Sequence, residues 1–154
     1  MPVIKHNILI NAPIHLCFDL ARNVDVHTET TKKTKEKAIE GVTTGLMEEG
    51  DTVTWEATHL GIKQTLTAKI IEMKKPYQFT DVMVKGAFHS FTHVHEFIAS
   101  GTGTIMKDTF TYQSPLGILG VMADKMFFKK YMKNFIVTRA RELKVIAERE
   151  SSNS

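Results

Sequence analysis

From Lys35 to Tyr112 the apolar residues alternate with a period of two, and from Gly117 to Glu150 they return at the three- and four-residue spacing of a helix. That switch constrains the chain more than any single motif. An antiparallel sheet with one apolar face must cover it, and one long amphipathic helix is the only large element available. Turn residues at Gly41, Gly45, Gly50, Gly61, Pro76, Gly86 and the Ser100-Gly101-Thr102-Gly103 segment divide the strand region. They predict six strands at about 35–41, 52–60, 63–73, 77–85, 88–98 and 104–113, joined as a meander.

A seventh strand comes first. In VIKHNILI, 3–10, Ile4, Ile8 and Ile10 share one parity while Lys5 and Asn7 take the other. Asn11 and Pro13 then suit a helix start, Asn as a cap and Pro in a first turn whose N–H groups are unpaired anyway. Ile14, Phe18 and Ala21 continue at helical spacing, and a second short helix is expected from Val24 to Thr31. In the C-terminal tail Phe128, Met132, Phe135, Ile136, Ala140, Leu143 and Ala147 form one stripe. The expectation is an α+β fold: a curved seven-stranded antiparallel sheet around a long C-terminal helix, with two short helices after the first strand.

With 154 residues the chain suits one domain, taken as residues 1–150 with a frayed polar tail at 151–154. Twenty Lys plus Arg against seventeen Asp plus Glu give a net charge of +3, and the basic residues are dispersed. A dedicated nucleic-acid binder would concentrate them, so no nucleic-acid partner is expected. A lone cysteine, Cys17, makes no internal disulfide, and no stretch approaches the roughly 20 apolar residues of a membrane span. These features predict a cytoplasmic protein without a transmembrane segment.

Register decides what points inward. If Ser100 to Gly103 turn one hairpin, Ala99 pairs with Thr104, Phe97 with Met106, His95 with Asp108 and His93 with Phe110. If Leu60 to Lys63 turn another, Trp55, Ala57 and His59 lie opposite Ala68, Leu66 and Gln64. The strand at 77–85 contributes Tyr77, Phe79, Asp81 and Met83 on its apolar parity. The covered face therefore mixes large apolar groups with His59, Gln64, Asp81, His93, His95 and Asp108, which need partners in an apolar interior.

The stretches VTWEATHLGIKQTLT (53–67), FTDVMVKGAFHSFTHVHEF (79–97) and GTIMKDTFTYQSPLGILG (103–120), with the following KMFFKKYMKNF, resemble the bacterial polyketide cyclase/dehydrase-like (SRPBCC) branch of the START and Bet v 1-like superfamily. The likeness spans about residues 3–147. It implies the helix-grip fold and a deep apolar pocket between sheet and long helix, and it transfers no common catalytic residue.

Binding or carriage of a small hydrophobic or amphipathic molecule, such as a lipid, an isoprenoid or a polyketide-like aromatic, is the leading expectation. Phe79, Met83, Phe91, Phe97, Phe110, Tyr112, Phe128, Met132 and Phe135, with Leu66, would supply apolar area. Trp55, His59, Gln64, Asp81, His93, His95 and Asp108 would orient a polar end. The alternative is a cyclase, dehydratase or hydrolase in which His95 and Asp108, with His93 and Asp81, act as acid and base. His93, His95 and Asp108 also have the chemistry of zinc or iron ligands, but spacing fixes no further ligand, so neither metal nor cofactor is expected. Cys17 beside His15 reads as a buried small hydrophobe. KKTKEK, 32–37, reads as a solvated edge. MADKMFFKKYMKNF, 122–135, reads as a pocket lid that also makes a sheet or homodimer contact.

Overall fold

The computed structural model describes residues 1–113 and 125–153. Its elements are β1 (Val3–Ile10), α1 (Ile14–Ala21), α2 (Val24–Glu29), a single 3-10 turn (Lys32–Thr34), β2 (Lys37–Gly41), β3 (Thr52–His59), β4 (Ile62–Lys74), β5 (Gln78–Lys85), β6 (Ser90–Ser100), β7 (Gly103–Gln113) and α3 (Lys125–Ser152). The seven strands form one antiparallel sheet in the order β1-β7-β6-β5-β4-β3-β2. This is the expected seven-stranded α+β helix-grip architecture. The part of the expected long helix between 117 and 124, with the break at Pro115 and Gly117, lies outside the described residues. The helix continues to Ser152, past the boundary expected at 150.

Local chemistry explains where the short helices begin and end. Asn11 does not cap α1: Pro13 occupies the cap position, and the Asn11 N–H instead donates to Glu148 Oε2 on α3 at 2.8 Å. Asn23 caps α2, its Oδ1 accepting from the N–H groups of Asp25 and Val26. Helix α2 stops at Glu29, short of the expected Thr31. The hydroxyls of Thr30 and Thr31 donate back to the His27 carbonyl there, a local alternative to continuing the helix.

The β6–β7 register is the expected one, with His95 opposite Asp108 and His93 opposite Phe110, although Ser100 and Gly103 also pair and only Gly101 and Thr102 turn. The β3–β4 register differs by two residues: Trp55 faces Leu66, Ala57 faces Gln64 and His59 faces Ile62. The cause is a two-residue turn in which both Leu60 (φ 52°) and Gly61 (φ 78°) take left-handed conformations. Such a turn matches the twist of the flanking strands better than a four-residue loop. A shift of two preserves parity, so the same side chains still point inward.

Bulges between β4 and β5, at Thr67/Ala68 and Ile70/Glu72, bend the sheet. Helix α3 crosses the concave face and buries Phe128, Met132, Ile136, Ala140, Leu143, Ile146 and Ala147. Two apolar clusters result. One joins Ile10, Phe18, Phe79, Phe97, Leu143 and Ala147 beneath α1; the other joins Ile4, Phe91, Phe110, Tyr112, Phe128 and Met132. Phe97, 2% exposed, anchors the first cluster edge-on to Phe18 at 5.4 Å. Replacing Phe97 by Ala should lower unfolding free energy by about 3–5 kcal/mol, measured by urea denaturation. A loss below about 1 kcal/mol would show that this cluster is not close-packed.

Candidate functional site

Between the two clusters the sheet and α3 enclose a cavity of about 150 Å³. Thirteen of the residues expected at a binding site line it. Trp55, His59, Gln64 and Leu66 come from β3 and β4, and Asp81 from β5. Phe91, His93 and His95 come from β6, Asp108 and Phe110 from β7, and Phe128, Met132 and Phe135 from α3. Four expected residues do not reach its wall. Phe97 and Tyr112 are packed solid in the two apolar clusters, and Met83 sits half-buried beside the second. Phe79 is stacked on the His95 ring at 4.2 Å and lines a smaller adjoining cavity of about 90 Å³ instead. Correct parity put these four on the covered face, but side-chain packing decided which were left at a void.

The polar groups form a crossed network along three adjacent strands. Asp81 stands opposite His93 in the ladder yet bonds diagonally to His95, Oδ1 to Nε2 at 2.7 Å. Asp108 stands opposite His95 yet bonds diagonally to His93, Oδ1 to Nε2 at 2.8 Å, and lies 3.3 Å from His95 Nδ1. The two imidazoles stack at 3.8 Å. Each is thus tied to a carboxylate, as burial demands. One ligand-capable atom from each of Asp81, His93 and His95 lies within 4.8 Å of the others.

Several wall residues were not anticipated. Glu36, from the stretch expected to be a solvated edge, is buried, and its Oε1 is 3.0 Å from His27 Nε2. It shares parity with Ala38, whose ladder partner is Trp55, so the strand pattern contained the signal. His27 stacks on Trp55 at 4.1 Å. Tyr131 OH lies 2.7 Å from His59 Nδ1. Phe88 precedes β6 and turns into the cavity against Phe91 and Phe128. Arg139, four residues past Phe135 on the same stripe, reaches the wall and donates from Nη2 to the Ala21 carbonyl at 3.1 Å. Its buried Nε has no hydrogen-bond partner among the described residues. Cys17 Sγ donates to the Ala12 carbonyl at 3.7 Å, and burial pushes its thiol pKa up, in keeping with a structural role.

Burial and pairing pull the titrations apart. Burial keeps His27 and His59 below the ordinary histidine range, with the Arg139 charge adding to the effect at His27. His93 is lowered by burial and then by its neighbour His95. For His95 burial acts downward, but the hydrogen bonds to Asp108 and Asp81 outweigh it and raise the pKa. Burial works against ionisation of Glu36, Asp81 and Asp108, yet their histidine partners hold all three below the usual carboxylate value.

The fold has well-defined relatives among solved structures. TTHA0849, a protein from Thermus thermophilus, superimposes with a TM-score of 0.79 at 18% identity, covering 97% of this chain and 99% of that one. A START superfamily protein from Mycobacterium smegmatis gives 0.74 at 11% identity, covering 96% and 97%. Major latex-like protein 151 from Panax ginseng gives 0.68 at 14%, covering 95% and 97%. The chain therefore has the fold of the START and Bet v 1-like proteins. No protein-family model and no curated protein matches its sequence. Among the described residues no helix is long and apolar enough to cross a membrane.

The titrations predict an acid-sensitive fold. Below the ordinary histidine pKa of about 6.5 the unfolded chain takes up protons that buried His27, His59 and His93 refuse, so stability falls as pH falls. His95 opposes this, because its contribution is present below that value and lost as pH rises through its raised pKa. The depressed carboxylates add a further loss below about pH 4. The thermal midpoint should drop between pH 7.5 and 5.5, and His27→Gln and His59→Gln should each flatten the drop. An unchanged slope in both variants would refute the assignment.

Proposed function

We propose that this protein binds or carries a small hydrophobic or amphipathic molecule in the cavity between the sheet and α3. The observation that carries the reading is a void walled by Phe88, Phe91, Phe110, Phe128, Met132 and Phe135 that also exposes the His/Asp network. A close-packed interior normally leaves no space of this size. Comparable apolar cavities of about 150 Å³ hold a single aromatic ring. The volume therefore favours a compact ring compound over an extended lipid or isoprenoid. The resemblance of 53–67, 79–97 and 103–120 to polyketide cyclase/dehydrase-like proteins points the same way.

Apolar burial alone gives weak binding. Burying about 200 Å² of ring surface contributes about 5 kcal/mol before ordering costs, so burial alone gives a dissociation constant no tighter than ~0.1 mM. Tighter binding needs a polar substituent that bonds to the network or to Arg139 Nε. Trp55, the single tryptophan, lines the wall and reports occupancy by fluorescence. Naphthol should shift Trp55 emission saturably, dodecanoate should do so at least tenfold more weakly, and Ala57→Phe, which fills the cavity, should abolish the response. Clean native mass spectra of freshly purified protein together with an unresponsive Trp55 would overturn the reading.

A second reading rests on one observation. His95 bridges Asp81 and Asp108 at the cavity wall, a histidine–carboxylate set of the chemistry that general acid–base catalysis uses. On that reading the protein is a cyclase, dehydratase or hydrolase. His95→Ala or Asp108→Asn would then abolish turnover found by substrate screening while leaving naphthol affinity within about threefold.

A further inference from the structure

We propose that Asp81, His93 and His95 bind one divalent transition-metal ion at the cavity wall, with Asp108 as the carboxylate that orients both imidazoles.

The geometry begins with Asp108. A single oxygen, Oδ1, lies 2.8 Å from His93 Nε2 and 3.3 Å from His95 Nδ1. Donating one ring N–H to a carboxylate is how a metal-binding histidine is held, because it fixes the tautomer and leaves a lone pair on the other nitrogen. Here that nitrogen is Nδ1 on His93 and Nε2 on His95. His95 Nε2 already lies 2.7 Å from Asp81 Oδ1, and the two share one proton. Adjacent ligands on an ion with bonds of about 2.1 Å sit about 3.0 Å apart in octahedral and about 3.4 Å apart in tetrahedral geometry, so an ion can take that proton's place once the pair opens by roughly 0.3–0.7 Å. One ligand-capable atom from each of Asp81, His93 and His95 lies within 4.8 Å of the other two.

Charge favours a cation here. Glu36, Asp81 and Asp108 line the cavity against one guanidinium, Arg139. With the His95 proton in place the formal excess is one negative charge; an ion that displaces this proton meets an excess of two in a largely apolar enclosure, which a divalent ion cancels. Two imidazoles and one carboxylate suit first-row ions such as Zn²⁺, Co²⁺ or Fe²⁺, whereas Ca²⁺ and Mg²⁺ prefer oxygen donors. Three protein ligands leave the remaining positions facing the cavity, open to water or to an oxygen of a bound molecule. The crossed pairing across β5, β6 and β7 thus brings together two histidines and a carboxylate that sequence spacing leaves unassociated.

The proposal does not depend on what fills the cavity, because metal binding is read without any apolar compound. Untagged protein, treated with chelator and dialysed, is titrated at neutral pH with Co²⁺ by visible absorption and with Zn²⁺ by calorimetry. One equivalent should bind in each case, with Co²⁺ giving d–d bands of nitrogen and oxygen ligation. Asp81→Asn and His93→Ala should weaken Zn²⁺ binding by at least about 100-fold and Asp108→Asn by about 10- to 100-fold. His89→Gln, an exposed histidine, should leave it unchanged. Circular dichroism checks each variant's fold. In the wild-type chain Zn²⁺ should shift the histidine ¹⁵N resonances of His93 and His95 ahead of all others, which keeps the test independent of the variants. Absence of one-equivalent binding, binding that survives both Asp81→Asn and His93→Ala, or shifts confined to other histidines would overturn the proposal.

Discussion

One helix cannot fill the concave face of a seven-stranded curved sheet, and the rest of the structure follows from that shortfall. Among the described residues helix α3 approaches the backbone most extensively at β1 and α1. There Phe18, Phe97, Leu143 and Ala147 close into a solid cluster. Toward β3 and β4 the helix stands off, and side chains rather than backbone must span the gap. Aromatic rings from β6, β7 and the start of α3 reach across as far as their length allows. The cavity is the remainder.

Much of this was legible in the residues. Alternation and turn chemistry located all seven strands, and the turn expected at 100–103 gave the His95–Asp108 register that the structure has. Parity survived even where the register was misjudged at Leu60–Gly61, because the error was an even number of residues. What sequence did not disclose is which inward residues meet a void. Phe97 and Phe91 share a strand, a face and a chemistry, but one is packed against Phe18 and the other faces the cavity. Glu36 was missed for a different reason. Composition made its surroundings look solvated, although its parity with Ala38 aimed it inward.

The diagonal pairing of the network was also hidden. Ladder register sets histidine opposite aspartate on both sides of β6, but each carboxylate bonds the histidine one step along. Direct opposition would give two independent pairs. Here Asp108 also lies 3.3 Å from Nδ1 of His95, the residue directly opposite it, and this contact joins the two crossed pairs into one unit, so the charge on any member is felt by all four. That linkage is why His95 is raised while His93, two residues away on the same strand and equally buried, is lowered. A proton placed on one ring raises the cost of placing it on the other at 3.8 Å.

Such a unit is costly for a structural role alone. The neighbouring wall positions are Phe91, Phe110 and Met106, and apolar residues at 81, 93, 95 and 108 would extend the same packing without any desolvated charge. A sheet that only needed covering would gain from that exchange. Retaining four ionisable groups, with Arg139 and Glu36 beside them, is reasonable where the interior must hold something polar or charged that the chain does not supply itself. Under the proposed binding function the cavity's apolar wall and its ionisable wall are complementary parts of one site: the first sets the size of what enters, and the second sets the charge and hydrogen bonding that the occupant must bring.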